Sequence, residues 1–335
     1  MRIATFNIEN LDDAPVPEDR KDKDPSFEQR LSILRPQLQR LKADILCLQE
    51  VHGQDMDDGP RELRALKKLL EGTMYEGYQI QTTHLKGKAD VEKFRNLVTL
   101  IHPEYAFERE VREIRNDYVE KPAYKYATGT DKGNIKDIGW NRPILYSTVR
   151  LPNGTRLHII NAHFKSKNPT RVAGEGPEDF KWKTVAGWTE GFFLSSMKRV
   201  GQALETRIFI DTLFHADSKA NIVICGDINA ETEEVPMQAL RGEVEDTGNP
   251  ALNDRIMYPL EHTVPEPSRF TLYHHGRKNL LDHLLVSQNL LGAYRGSEIH
   301  NEIVRDESRA FAYDIKFPSS DHAPIIAEFD DGLIS

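Results

Sequence analysis

A short apolar run that ends in an acid and an amide is the clearest candidate for chemistry in this sequence. Residues 222–225 are Ile-Val-Ile-Cys and lead directly into Gly226-Asp227-Ile228-Asn229. The continuous run is typical of a strand buried on both faces, and Gly226 permits a sharp exit that would aim Asp227 and Asn229 at a shared cleft. Taken alone, the same residues also fit an ordinary turn, because Gly, Asp and Asn dominate turns.

Two other strand-like segments carry acidic residues. Alternation along residues 3–10 places Asn7 and Glu9 on one face, where both oxygens could meet one metal ion; an edge strand with solvated polar residues is the alternative. Residues 44–51 form an apolar run that carries Glu50 near its end. A buried glutamate is costly unless a cation or a partner neutralises it, so Glu50 ranks above any surface acid as a functional candidate.

The apolar run at residues 157–164 also ends in polar side chains. Asn161 and His163 share one face of this predicted strand, and Lys165 and Lys167 follow. A strand end so rich in hydrogen-bond donors could grip a phosphate. A histidine that is satisfied structurally is the alternative reading of His163.

One further acid lies in an apolar setting near the C-terminus. Asp282 sits within the run at residues 280–287, where burial calls for a partner. A histidine would serve, and His322 follows Asp321 just before the final apolar strand at residues 325–329.

Helical periodicity predicts two of the elements that would position these residues. Residues 27–41 form an amphipathic helix that Pro36 should kink or split. A second helix covers residues 197–214, with its apolar positions facing inward: Val200, Leu204, Ile208 and Leu213.

Turn signals predict two hairpins. Residues 141–149 and 157–164 flank Pro152-Asn153-Gly154, which is a strong turn signal. Residues 270–273 and 280–287 are interpreted as the two sides of another hairpin.

Length and composition limit the class of protein. The chain has 335 residues, of which 39% are hydrophobic and 29% charged, which is compatible with one large globular domain. A formal charge of −9 argues against a broadly basic surface for sequence-blind nucleic-acid binding, although a local basic rim could still hold phosphates. Cys47 and Cys225 lie in apolar runs, so we expect core thiols and no disulfide framework.

The sequence also bears on location and partners. No apolar run is long enough to span a bilayer, and the chain starts on a strand pattern with no signal peptide. These features predict a cytoplasmic protein with no membrane association; a secreted protein whose leader has been removed is the alternative. Nothing in the sequence indicates an obligate protein partner.

Loop insertions are predicted near residues 12–26, 116–139 and 166–192. The last of them combines lysines with Trp182 and Trp188. It could be a lid that contacts substrate, because cations neutralise phosphates and indoles stack on bases. A packed surface loop is an equal alternative.

Taken together and in order, the polar motifs resemble the signature blocks of the endonuclease/exonuclease/phosphatase superfamily, which has the DNase I-like fold. The blocks are Thr-Phe-Asn-Ile-Glu-Asn, Leu-Gln-Glu-Val, Asn-Ala-His-Phe-Lys-Ser, Gly-Asp-Ile-Asn, Leu-Asp-His-Leu-Leu-Val-Ser and Ser-Asp-His-Ala-Pro. The resemblance runs from residue 3 to residue 329 and is nearest to the bacterial extracellular-type nuclease branch. It implies a single α+β domain over residues 1–335, with two packed mixed β-sheets flanked by helices in a four-layer α/β sandwich.

The resemblance also implies a divalent cation, Mg²⁺ or Mn²⁺, at one end of the sandwich. By position, Glu50 would be its principal ligand, helped by Asn7, Glu9 and Asp321. Arg142 would act as a phosphate clamp, and Asn161 and Lys165 belong to the implied phosphate-binding strand end.

The catalytic roles follow from the same resemblance. Asp227 would orient and deprotonate the attacking water, and Asn229 would hold that water or a phosphate oxygen. His322, aligned by Asp282, would steady the pentacovalent phosphate, and His163 occupies a phosphate-contact position.

The chemistry calls for these residue types independently of the resemblance. Phosphodiesters resist hydrolysis because their negative charge repels a nucleophile, so a hard cation, a base and several donor groups are needed. The leading hypothesis is a metal-dependent nuclease acting on DNA or RNA. The alternatives are a phosphatase or phosphodiesterase for small or lipid-linked phosphates, and a non-catalytic binding module of the same fold.

Overall fold

The computed structural model describes residues 1–109, 111–127, 135–140, 142–174 and 181–334. Its α-helices are α1 (Phe27–Leu41), α2 (Arg64–Leu70), α3 (Val185–Ala216), α4 (Val235–Arg241) and α5 (Glu307–Tyr313). Its strands are β1 (Arg2–Leu11), β2 (Ile45–Val51), β3 (Gln79–Thr82), β4 (Asn96–Ile101), β5 (Ala106–Phe107), β6 (Arg112–Ile114), β7 (Lys125–Ala127), β8 (Ile135–Asp137), β9 (Ile144–Arg150), β10 (Arg156–His163), β11 (Asn221–Asp227), β12 (Met257–Pro259), β13 (Leu272–His274), β14 (Arg277–Asn279), β15 (Asp282–Ser287), β16 (Tyr294–Ile299) and β17 (Ile325–Phe329).

Most of these strands form two mixed sheets. The first sheet has the order β16-β17-β1-β2-β4-β3, and the second has the order β12-β15-β11-β10-β9-β5, with β6 also paired to β9. Each sheet contains one parallel pair at its centre, β1 with β2 and β10 with β11. The neighbours of these central pairs run antiparallel to them.

Three apolar layers hold the architecture together. One layer lies between the two sheets and includes Ile45 and Cys47 from β2 with Val223 and Cys225 from β11. A second packs α1 and α2 on the outer face of the first sheet, and a third packs α3 and α4 on the outer face of the second. The predicted four-layer α+β sandwich is therefore confirmed.

Strand β11 is buried on both faces, as its apolar run predicts. Val223 and Cys225 point between the sheets, whereas Ile222 and Ile224 point toward the helices of the outer layer. Gly226 ends the run with φ +132°, and a Cβ atom there would lie 1.9 Å from the carbonyl oxygen of Ala162. Only glycine allows β10 to approach this closely, one residue before Asp227.

The hairpin around Pro152-Asn153-Gly154 is confirmed. Strands β9 and β10 pair antiparallel with Arg150 opposite Arg156, and the Gly154 amide donates to the Leu151 carbonyl at 2.9 Å. Asn141, the predicted start of the first strand, lies outside the described residues.

Helix α1 differs from the prediction because Pro36 does not divide it. The helix runs as one element from Phe27 to Leu41. Leu34, Leu38 and Leu41 are all fully buried in the same apolar layer. Because each buried leucine contributes roughly 1.5–3 kcal/mol, packing on both sides of the proline outweighs the lost hydrogen bond.

Helix α3 begins earlier and buries a different face than predicted. Residues 185–192, assigned to the third insertion, are helical. Val200 and Leu204 are exposed, and Ile208 and Leu213 are only half-buried. The buried positions are these: Gly187, Gly191, Leu194, Ser195, Lys198, Arg199, Gln202, Ala203, Glu205, Thr206, Phe209, Ile210 and Phe214. Several are polar because the helix binds the loops that lie beside it, which an apolar periodicity does not detect.

The second predicted hairpin is wrong. Residues 272–274 pair with 277–279 in a small separate ribbon, while β15 joins the second sheet between β11 and β12. The tight turn at His275 and Gly276 makes the local ribbon possible, because both residues adopt positive φ.

The predicted insertions are partly regular. Residues 12–26 contain one 3₁₀ turn, and residues 116–139 contain the β7–β8 ribbon. Residues 128–134 and 175–180 of the second and third insertions lie outside the described residues. Within the described ranges, no helix is both long and apolar enough to cross a bilayer.

Candidate active site

The polar ends of the central strands meet at one cleft with a volume of about 420 Å³. The cleft lies where β1, β2, β10 and β11 end and where the segment before β17 passes over them. Nine of the twelve predicted site residues line it: Asn7, Glu9, Glu50, Arg142, His163, Asp227, Asn229, Asp321 and His322.

Local backbone irregularities turn the acidic residues of the first sheet into this cleft. Pairing of β1 with β2 shifts register between Asn7 and Leu11, and pairing of β2 with β4 shifts between Leu48 and Val51. Glu9 and Glu50 lie inside these shifts with φ of 48° and 61°. Such left-handed conformations are strained for residues with side chains and concentrate at functional sites. Simple strand alternation therefore brings the Asn7 side chain into the cleft, whereas a bulge brings in the Glu9 side chain.

Glu50, Glu9 and Asp321 bring negative charge together on one side of the cleft. The Glu50 Oε2 accepts from the Asn10 amide at 3.1 Å, and the Glu9 Oε2 accepts from the Asp321 amide at 3.2 Å. Burial and the Asp321 carboxylate raise the pKa of Glu9 well above its usual value. Burial, with the carboxylates of Glu307 and Glu50, raises the pKa of Asp321 to about 6 against the opposing effect of His322.

This donor set fits a hard divalent cation. The carboxylates of Glu9, Glu50 and Asp321 and the amide of Asn7 all line the cleft, and burial is the main cause of the raised pKa values of Glu9 and Asp321. Oxygen ligands of this kind suit Mg²⁺ or Mn²⁺.

Asp227, at the end of β11, is the main acidic residue that the second sheet places in the cleft. Its Oδ2 accepts from the Asn7 side-chain amide at 3.1 Å, and its Oδ1 accepts from the Asn229 backbone amide at 3.0 Å. Burial raises the pKa of Asp227 to about 7; the Asp282 and Glu50 carboxylates add to the rise, and His322 opposes it. A carboxylate of this pKa can accept a proton near neutral pH.

Asn229 is fixed beside Asp227 by its own backbone conformation. It adopts φ 55°, which asparagine tolerates better than most residues. Its side-chain amide donates to the Phe164 carbonyl at 3.2 Å, which ties the end of β11 to the end of β10. The side-chain oxygen of Asn229 is thereby held in a defined direction at the cleft.

His322 and Asp282 form a buried pair. The Nδ1 of His322 lies 2.6 Å from the Asp282 Oδ2, and its Nε2 lies 4.0 Å from oxygens of both Asp227 and Asp321. Burial disfavours protonation, but the Asp282, Asp321 and Asp227 carboxylates outweigh it and raise the pKa of His322 well above its usual value. Asp282 is itself fully buried behind the histidine and does not line the cleft.

Asp227, Asp282 and His322 also present ligand atoms within 4.8 Å of one another, so this group could hold a metal ion. The Asp282–His322 hydrogen bond already uses one atom from each of two members. The carboxylates of Glu50, Glu9 and Asp321 are more widely spaced than this group, and His163 and His322 lie 3.6 and 4.0 Å from oxygens of Glu50 and Asp321. Their ligand atoms are all oxygens, which suit a hard cation better.

His163 lies close to Glu50, with its Nε2 3.6 Å from the Glu50 Oε1, and Arg142 contacts His163. The Arg142 Nη1 makes a short contact with the His163 Nε2 and donates to the Phe164 carbonyl at 3.0 Å. Burial, together with the charges of Arg142 and Arg95, lowers the pKa of His163 well below its usual value. Because a guanidinium can only donate, the neutral imidazole accepts through Nε2 and carries its proton on Nδ1. The same Nε2 lies 3.3 Å from the Asp227 Oδ2.

Asn161 lies away from the cleft, contrary to the expected phosphate contact. Its Oδ1 accepts from Gln49 at 2.8 Å, and its Nδ2 donates to the carbonyls of Leu48 and Val98 at 3.3 and 3.0 Å. It is fully buried between the two sheets. The face shared with His163 is correct, but two residues of rise along the strand place Asn161 in the core.

Lys165 also lies outside this cleft, in a neighbouring cavity.

The sequence motifs do not include Arg95, although it lines the cleft. This arginine has φ 61° and places its Nε 3.6 Å from the Glu50 Oε1. No motif marks this arginine, because it lies in a charged turn before β4. Sequence reasoning also missed Ser320, whose hydroxyl donates to the Asn7 carbonyl at 2.7 Å and accepts from the His322 amide at 3.1 Å.

Comparison with known proteins identifies the family. A family model described as "Endonuclease/Exonuclease/phosphatase family" matches residues 4–322. No curated protein matches the chain at a significant level.

Solved structures share the fold at low identity. An endonuclease/exonuclease/phosphatase from Bacteroides vulgatus is 16% identical with a TM-score of 0.56, and the match covers 98% of both chains. Truncated Caenorhabditis elegans TDP2 is 15% identical with a TM-score of 0.55, covering 98% of this chain and 96% of the other. The Neisseria 3′ phosphatase NExo, bound to a product DNA hairpin, is 16% identical with a TM-score of 0.52, covering 98% and 99%.

Proposed function

Because the chain belongs to the endonuclease/exonuclease/phosphatase family of phosphoester hydrolases, we propose that it is a divalent-metal-dependent nuclease that cleaves phosphodiester bonds of DNA or RNA. One observation carries the proposal. Residues from distant parts of the chain converge on a single carboxylate oxygen, the Asp227 Oδ2, which lies 3.1 Å from Asn7 Nδ2, 3.3 Å from His163 Nε2 and 4.0 Å from His322 Nε2.

Asp227 is the proposed base. The hydrogen bonds from Asn7 and from the Asn229 backbone amide fix the orientation of its carboxylate. With a pKa of about 7, it takes a proton from the attacking water at neutral pH without being too weak a base. The Asn229 side-chain oxygen, anchored through the Phe164 carbonyl, then helps to hold that water in place.

His322 and Arg142 are the proposed stabilisers of the phosphate. Asp282 keeps His322 cationic and directs its Nε2 toward the cleft, so the ring donates to a phosphate oxygen as negative charge develops. Arg142 also lines the cleft, and its second terminal guanidinium nitrogen is the proposed donor to another phosphate oxygen.

Glu50, Asn7, Glu9 and Asp321 are the proposed holders of Mg²⁺ or Mn²⁺. When bound, such an ion polarises the phosphate and lowers the pKa of a coordinated water. The protein's part is to hold these side chains at one cleft, to which the two bulges and the Glu9 contact with the Asp321 amide contribute.

The nucleic-acid substrate is supported by the open, polar cleft and by the arginines Arg95 and Arg142 beside the acidic group. A structural neighbour of the same fold is a Neisseria 3′-5′ exonuclease, at 16% identity. That activity belongs to the neighbour, and for this chain it supports the choice of the first substrates to test.

A screen of substrates tests the proposal. Supercoiled plasmid, single-stranded oligonucleotides and nitrophenyl mono- and diesters are incubated with Mg²⁺, Mn²⁺ or chelator. We expect metal-dependent phosphodiester cleavage, reduced about 10²–10³-fold by Glu50→Gln and about 10²–10⁴-fold by Asp227→Asn. Glu71→Gln, an exposed acid far from the cleft, is the matched control and should cleave at the wild-type rate.

Two outcomes would contradict the proposal. Turnover of phosphomonoesters, inositol phosphates or lipid headgroups without nucleic-acid cleavage would favour the phosphatase alternative. Metal-insensitive ligand binding with no hydrolysis of any substrate would favour a binding module.

A further inference from the structure

A second cavity adjoins the candidate active site and is lined by five cationic side chains. It has a volume of about 370 Å³, and its cations are Arg95, Arg142, Lys165, Arg171 and Lys198. No acidic side chain of the described residues lines it. In a chain with a formal charge of −9, such a concentration of positive charge in one concavity is a distinct feature.

The two cavities adjoin, because Arg95, Arg142 and Ser166 line both of them. The two arginines therefore lie between the cleft that contains Asp227 and the second cavity, within reach of one substrate molecule that occupies both.

Three of the cations are partly or fully buried, and none of the three forms an ion pair with a carboxylate of the described residues. Within the described part of the chain, the Lys165 Nζ donates only to Ser166 and Asn168 oxygens, at 2.8–3.1 Å. The Lys198 Nζ donates to the Tyr126 hydroxyl at 3.1 Å, and Arg142 contacts His163 and the Phe164 carbonyl. Burying a charge without a counter-charge is unfavourable, and a bound anion would remove that cost.

The charges influence one another. Burial lowers the pKa of Lys165 to about 7, and the positive charges of Arg142, Lys198 and Arg199 contribute to that shift. Burial and Arg95 likewise lower the pKa of Arg142 to about 10. Burial is the largest cause of both shifts, and for Arg142 the Glu50 and Asp227 carboxylates oppose it.

Helix α3 holds this cavity in shape. The Gln202 side chain accepts from the Lys165 amide at 2.8 Å and donates to the Arg142 carbonyl at 3.3 Å. Arg199 donates to the Lys165 carbonyl at 3.0 Å. The backbones that carry Arg142 and Lys165 are thus fixed to the helix that carries Lys198, and little ordering is needed when a ligand enters.

We propose that this second cavity binds another phosphate group of the substrate, carried on the same molecule as the phosphate that is hydrolysed beside Asp227. Lysine and arginine are the side chains that bind phosphates in nucleic-acid complexes. The inference rests on the proposed function for the reacting phosphate, and it makes the preferred substrate an oligonucleotide with at least two phosphates. The second phosphate is either internal to the strand or terminal.

Binding in chelator, where no hydrolysis occurs, tests the inference separately from catalysis. Isothermal titration compares three thymidine ligands: TpT with one internal phosphate, TpTpT with two, and pTpT with one internal and one terminal phosphate. We expect wild-type protein to bind TpTpT about tenfold more tightly than TpT, because one charged hydrogen-bonded contact is added. If pTpT, and not TpTpT, binds more tightly than TpT, the occupant of the second cavity is a terminal phosphate.

Variants then test whether the added affinity comes from the second cavity. Lys198→Met should abolish the preference for the second phosphate, and Lys198→Arg should restore it. Lys219→Met, which removes an exposed lysine in the turn before β11, should leave it unchanged. Circular dichroism and thermal melting verify folding, and Lys165→Met replaces Lys198→Met if the latter does not fold.

The outcomes are distinct. Equal affinities of wild-type protein for all three ligands would overturn the inference, as would a preference that survives both Lys198→Met and Lys165→Met. Failure of the proposed function would appear elsewhere, as absence of TpT and plasmid hydrolysis when metal is supplied.

Discussion

At the residue scale, the state of His322 depends on Asp282. The Asp282 carboxylate is fully buried and accepts from Nδ1 of the imidazole at 2.6 Å, while its other oxygen, Oδ1, has no hydrogen-bond partner among the described residues. A buried charge of this kind is retained at a cost, and the cationic imidazole is what offsets it. The pair therefore acts as one unit that presents an N–H group to the cleft.

Replacing Asp282 by asparagine tests this unit. The amide cannot stabilise the imidazolium, so we expect Asp282→Asn to lower kcat about 10²–10³-fold with a small change in KM. Steady-state kinetics on a phosphodiester substrate measures the effect. Asp254→Asn, at an exposed carboxylate, should leave kcat within about twofold of wild type; an equal loss in both variants would contradict the assignment.

Replacing Asn161 is expected to affect stability and not activity, because its side chain connects the two sheets. Replacement by leucine leaves the Gln49 amide and two backbone carbonyls without their partner. We expect Asn161→Leu to lower the free energy of unfolding by about 3 kcal/mol, measured by urea denaturation. The KM of the folded variant should be unchanged, whereas a raised KM at unchanged stability would restore the phosphate-contact role.

At the element scale, each central strand delivers side chains to more than one environment. Along β10, Leu157, Ile159 and Asn161 face the first sheet, whereas His158 and Ile160 face the outer layer. His158 is hydrogen-bonded to the Tyr146 hydroxyl at 2.6 Å and stacks on its ring at 5.9 Å. The strand end alone reaches the active site, so the same element supports both stability and chemistry.

His158, on strand β10, is expected to make the stability of the protein depend on pH. Burial and the Arg156 charge lower its pKa from 6.5 to about 4 in the folded protein. Between these values the unfolded chain binds more protons, so the histidine's contribution to stability is full above pH 6.5 and is lost as pH falls toward 4. The free energy of unfolding of wild type relative to His158→Phe should fall by up to about 3 kcal/mol across this window. A difference independent of pH, measured by urea denaturation at each pH, would contradict it.

At the scale of the whole molecule, the two sheets supply different parts of the site. Asn7, Glu9 and Glu50 come from β1 and β2 of the first sheet, and Asp321 precedes its strand β17. Asp227, His163 and Asp282 come from the second sheet. The candidate metal ligands and the candidate base Asp227 thus meet because the sheets pack face to face, and His322 comes from the same segment as Asp321.

The candidate metal ligands lie far apart in the chain and come together only in the folded protein. We therefore expect a bound metal to stabilise the fold. At a hundredfold excess over Kd, Mg²⁺ or Mn²⁺ should add about 2.7 kcal/mol to the free energy of unfolding and raise Tm by roughly 4 °C relative to chelator. Glu50→Gln should remove this shift and Glu71→Gln should retain it, as measured by differential scanning calorimetry. A wild-type Tm that is the same with metal and with chelator would contradict the assigned ligand set.

The sequence by itself determined the features that depend on short-range chemistry. The apolar run of β11, the glycine that ends it and the β9–β10 turn follow from local sterics and burial. The polar residues at strand ends were also visible, because an acid next to an apolar run is locally anomalous. The order of these motifs was specific enough to identify the family and the four-layer fold.

Tertiary structure alone decided which candidates meet. It separated Asn161 and Lys165 from the cleft, added Arg95, and bound the buried face of α3 to polar loops. It also turned Glu9 and Glu50 through strained bulges, which neighbouring strands impose and the local sequence does not encode. The physical reason is that these outcomes depend on contacts between residues far apart in the chain, where packing and charge compensation outweigh local preference.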